Sequence, residues 1–90
     1  MLFTTTPTVE GYPIKQYMGV VTGESVIRNF SYGTYEQLLE NARNESMNKM
    51  AHHAAQAGAK AVVGIDIDYG CIGLGGSASV VACSGTAVII

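Results

Sequence analysis

Two aspartates near the end of an apolar run have the spacing in this chain that best suits chemistry. Asp66 and Asp68 close the sequence Val62-Val-Gly-Ile-Asp-Ile-Asp68, which predicts a β-strand. Side chains two positions apart on a strand point the same way, with Cα atoms about 6.5–7 Å apart. Like charges at that spacing raise each other's pKa, and a cation would compensate them. We therefore predict a metal or substrate site at Asp66 and Asp68. The alternative is that they face solvent or bind backbone amides at a subunit junction.

The histidines and cysteines do not form a metal-ligand motif. His52 and His53 are adjacent in the sequence, so on a helix they point about 100° apart and cannot chelate one ion together. We expect them to be solvated or at a subunit contact. Cys71 and Cys83 lack CxxC spacing. We expect reduced thiols with Cys83 packed in the core; a cross-strand disulfide and a soft-metal site are the alternatives.

A glycine-rich stretch, Gly70-Cys-Ile-Gly-Leu-Gly-Gly-Ser77, has the composition of a phosphate-binding loop. A phosphate loop opens a helix and supplies a lysine, whereas here a predicted strand follows and no lysine is present. We predict a hairpin connection, with an anion nest as the alternative. No Ser-His-Asp arrangement is indicated, because Ser77 and Ser84 lie on or beside predicted strands. We therefore predict no catalytic and no cofactor-binding residues.

The predicted helix is marked at both ends. Thr34-Tyr-Glu-Gln37 has the form of a capping box, and Gly58 stands where a helix terminates with positive φ. Apolar and small residues follow Gln37 at helical spacing. The side expected to face a sheet is made of small residues: Ala42, Ser46, Ala51, Ala54 and Ala57.

Four strands are predicted around this helix. They are Leu2–Thr5, Ile14–Thr22, Ala61–Tyr69 and Ser79–Ile90, with a turn at Glu10–Pro13, Gly23–Ser25 ending the second strand and a connection from Val26 to Gly33. The order is β-β-α-β-β, an α+β fold with one long helix packed on a small antiparallel sheet, similar to a dodecin subunit. The last strand is apolar on both sides, so we expect another subunit to cover the side away from the helix.

Composition limits the functional classes. Residues 1–90 form one predicted domain, with 48% hydrophobic and 13% charged residues and a net charge of −2. A surface so poor in charge favours self-association. The acidic balance and scattered basic residues argue against nucleic acid as a partner. No run approaches the length of a membrane span, so we expect no membrane partner and a cytoplasmic location.

Several segments together resemble the YbjQ family (the UPF0145 group). They are Thr4–Gly11, Val20–Glu24, Tyr35-Glu36, Gly58-Ala59, Val62–Asp68 and Ser84–Val88. The resemblance implies α+β subunits that assemble as pentameric rings, a heavy-metal-binding label and no agreed enzymatic activity. This chain lacks a segment that typical members carry before Gly33. Cys71 and Cys83 do not match the family pattern.

We therefore expect a non-catalytic homo-oligomer, most simply a pentamer, that binds or scaffolds an unidentified small ligand. One alternative is a heavy-metal or divalent-cation binding protein that uses Asp66 and Asp68 from several subunits. Another is an enzyme with sites at subunit junctions, for which His52 or Asp66 would be the base.

Overall fold

The computed structural model describes residues 1–28, 34–72 and 78–90. These residues form one helix and a four-stranded sheet. The elements in chain order are β1 (Leu2–Phe3), β2 (Gln16–Arg28), α1 (Tyr35–Gln56), β3 (Ala61–Ile72) and β4 (Ala78–Ile89). The spatial order of the strands is β1-β3-β4-β2. The predicted β-β-α-β-β order is confirmed.

The sheet is mixed. β4 lies at its centre and runs antiparallel to both β3 and β2. The short strand β1 pairs with β3 in parallel, through Leu2 opposite Ala61 and Phe3 opposite Val62. The sequence predicted an antiparallel sheet. That expectation is wrong at β1, where the chain reaches β3 only after passing through β2 and α1.

Both ends of α1 form as the sequence predicts. The Gln37 amide donates to Thr34 Oγ1 at 3.2 Å, and the Thr34 amide donates to Gln37 Oε1 at 3.4 Å. Gly58 follows the C-cap with a φ of 82°. Two free amides at the N-terminus are thus satisfied locally, and the helix ends where a residue without Cβ takes the left-handed conformation.

The main core lies between α1 and the sheet. α1 buries Ala42, Ser46, Met50 and Ala54. Gly23 on β2 allows the closest approach, because a Cβ there would overlap the Ser46 carbonyl and lie 2.7 Å from the Met50 amide nitrogen. The prediction of a small-residue helix face is confirmed for Ala42, Ser46 and Ala54. It is wrong for Ala57, which is exposed, while Ala51 is half-buried and Met50 is fully buried.

The other side of the sheet is covered at one end by the chain itself. Ala61, Val63 and Val88 are buried there, and Val9, Ile14 and Ile90 pack against them. The sequence predicted that another subunit covers the side of the last strand away from the helix, including Val88. For Val88 that expectation is wrong, because the segment between β1 and β2 already buries it.

Strand boundaries differ from the predicted ones mainly at β2. The strand continues from Gln16 to Arg28, whereas Gly23–Ser25 was expected to end it and Val26–Gly33 to be a connection. Gly23 does not mark a turn; it is needed because α1 packs too closely on β2 for any side chain at this position. β3 runs to Ile72, three residues beyond the prediction, and β1 is shorter than predicted. Residues 29–33 and 73–77, including most of the predicted hairpin connection, lie outside the described residues. Among those described, no helix is long and apolar enough to cross a membrane.

Candidate functional site

A β-bulge sets the direction of the two aspartates. The register between β3 and β4 shifts between Val63 and Asp66, and Gly64 has a φ of 62°. The bulge inserts one extra residue into β3, so the alternation of side chains between the two sides of the sheet is shifted by one position after it. Ile65 is therefore buried towards α1, whereas Asp66 and Asp68 point away from the helix and are exposed.

We call the side of the sheet away from α1 the open face. On this face, each aspartate belongs to a row of paired residues that runs across β3, β4 and β2. Asp66 pairs with Ser84, which pairs with Thr22, and Asp68 pairs with Ala82, which pairs with Glu24. Because strands lie about 4.8 Å apart, Glu24 stands two strands, roughly 9.6 Å, from Asp68. The open face thus carries two adjacent carboxylates and a third across the sheet.

The two aspartates interact directly. Hydrogen bonding to the Asp66 carboxyl group, and then its negative charge, raises the pKa of Asp68 above its usual range. A shared proton lowers the repulsion between the two carboxylates, and so would a cation. The prediction that Asp66 and Asp68 lie on one side of a strand is confirmed.

The thiols do not converge on this pair. Cys71 pairs with Ser79 and is exposed, whereas Cys83 is buried opposite Ile67. The two cysteines are therefore separated by four positions along the sheet, about 13 Å, which is too far for a disulfide. The prediction of free thiols with Cys83 in the core is confirmed. In the described part of the chain, no three or more histidine, cysteine or acidic residues cluster as metal ligands.

The positions of the thiol and carboxylate groups determine which kind of metal ion could bind within one subunit. Soft metals prefer thiolates, and the two thiols are apart and on the helix side of the sheet. A closed soft-metal site within one subunit therefore does not fit. Asp66 and Asp68 offer carboxylate oxygens, which suit a hard or borderline divalent cation, with the remaining ligands to come from water or from other subunits.

A second feature is a groove between the outer side of α1 and β2, which we call the α1–β2 groove. It has a volume of about 660 Å³, and its lining includes Gly23 from β2 and Asn48, His52 and His53 from α1. Both histidines are exposed. Their position on the exposed side of the helix agrees with the prediction that they are solvated or at a subunit contact, and their common groove is a feature the sequence did not indicate.

Lys49 connects the helix to the edge of the sheet. Its Nζ donates to the Glu24 carbonyl at 2.9 Å and lies 3.1 Å from Glu45 Oε1. The hydrogen bond from Lys49, and then one from Ser25, lowers the pKa of Glu45. The Glu45–Lys49 spacing of four residues could be read from the sequence. The contact with Glu24 could not, because it depends on β2 continuing beneath the helix.

Comparison with known proteins places these features in context. A YbjQ family model with the description "Putative heavy-metal-binding" matches residues 26–90. A crystal structure of a protein of unknown function in the DUF74 family, from Pediococcus pentosaceus, superposes with a TM-score of 0.72 at 24% identity. The superposition covers 100% of this chain and 97% of that chain. It supports the α+β fold over the full length.

Proposed function

Because the chain belongs to the YbjQ family, we propose that it is a non-catalytic homo-oligomer that binds or scaffolds a ligand. The observation that carries this proposal is a set of exposed or half-buried apolar side chains that share the open face with its carboxylates. The side chains of Val20 and Val26 are 76% and 45% exposed. Val80, which pairs with Val26, and Ala82, the next residue on the same side of β4, are only half-buried. Burial of such surface against other copies would stabilise an assembly by about 25 cal/mol per Å² of apolar area.

The resemblance to the YbjQ family implies a pentameric ring, and we adopt that as the proposed state. In such a ring, the exposed helices lie outside and the open faces point towards the axis. This orientation buries the valines and brings copies of the aspartate pair near one another.

The open face is tested by a charge at its centre. Val80→Lys places an ammonium group on β4, where the side chain is half-buried in one subunit. We expect light scattering coupled to gel filtration to show a smaller mass for Val80→Lys than for the native protein. The control is Ala55→Lys on the exposed side of α1, which should leave the mass unchanged. Equal masses for both variants and the native protein would contradict a role for the open face.

The aspartate pair favours a second function, the binding of a divalent cation. A cation bound between the two carboxylates would compete with protons for their oxygens, so affinity should fall as the pH falls through the carboxylate range. If copies of Asp66 and Asp68 meet at a ring axis, the stoichiometry should be a fraction of one ion per chain.

Calorimetry of the native protein with zinc, manganese and calcium tests this second function. The double change Asp66→Asn and Asp68→Asn should abolish binding and keep the native mass. The control, Glu36→Gln with Glu40→Gln, removes two carboxylates from exposed positions on α1 and should bind as the native protein does. No heat and no thermal stabilisation with any of the three ions would leave the aspartates without a metal role.

A further inference from the structure

We draw no further inference here: the strongest candidate, the α1–β2 groove with His52 and His53 in its lining, carries nothing because nothing in the described part of the chain shows what occupies it.

Discussion

The close approach of α1 to β2 makes Gly23→Ala the most informative single substitution for the fold. The added Cβ would overlap the Ser46 carbonyl and lie 2.7 Å from the Met50 amide nitrogen and 3.1 Å from Lys49 Cβ. Two of these three contacts are helix backbone, which no side-chain rotation can relieve. Since ordinary carbon contacts are about 3.5–4.0 Å, α1 would have to move outward by roughly 1 Å.

The expected cost follows from two opposing effects. Overpacking of a tight contact costs about 1–3 kcal/mol. Replacement of glycine by alanine in a strand returns about 0.5–1 kcal/mol of backbone entropy. We therefore expect the free energy of unfolding to fall by about 1–2 kcal/mol. For a small domain in urea this lowers the midpoint by roughly 0.5–1 M.

Urea unfolding followed by circular dichroism measures this change at one fixed chain concentration, because assembly would make the midpoint concentration-dependent. Gly70→Ala is the matched control. Its Cβ would lie 3.4 Å from Val80 Cγ1, an ordinary contact, so its midpoint should stay near that of the native protein. If Gly23→Ala unfolds at the same urea concentration as Gly70→Ala, the described helix-strand contact is wrong.

Three further predictions address other parts of the molecule. Ala54→Leu should lower the free energy of unfolding by about 1–3 kcal/mol in urea, because Ala54 is fully buried against the sheet; a native midpoint would contradict that packing. Val88→Lys should abolish folding, seen by circular dichroism, since Val88 is buried within one chain; a folded monomer would show that other copies provide the burial. Asp66→Asn should lower the pKa of Asp68, measured by carboxyl-carbon NMR, and an unchanged titration would refute the interaction. The pKa of Asp68 is higher in the folded protein than in the unfolded chain, so its contribution to stability is present below the usual carboxylate range. This contribution is lost as the pH rises through the pKa of Asp68 in the folded protein. Asp66→Asn should remove that pH dependence.

Local signals made α1 predictable. The hydrogen bonds of the capping box join residues three apart, and Gly58 terminates the helix through its own backbone conformation. Neither needs information from distant parts of the chain. That Asp66 and Asp68 share one side was predictable for the same reason, because side chains alternate along a strand, whereas the bulge at Gly64 determines which side of the sheet they take.

Features that depend on distant contacts were not predictable. Gly23 has the sequence character of a strand end, and only the position of α1 shows that it is a packing site within a longer strand. The cover over Val88 comes from residues far away in the sequence. The α1–β2 groove requires the edge position of β2, which follows from the strand order of the whole sheet.

The native mass of the protein tests the central claim, self-association, most directly. Sedimentation equilibrium at micromolar concentration measures it without a matrix or a label. A homo-oligomer requires a multiple of the 9.4 kDa chain mass, and the proposed pentamer requires five times that value. A single species at 9.4 kDa across that concentration range would contradict the account.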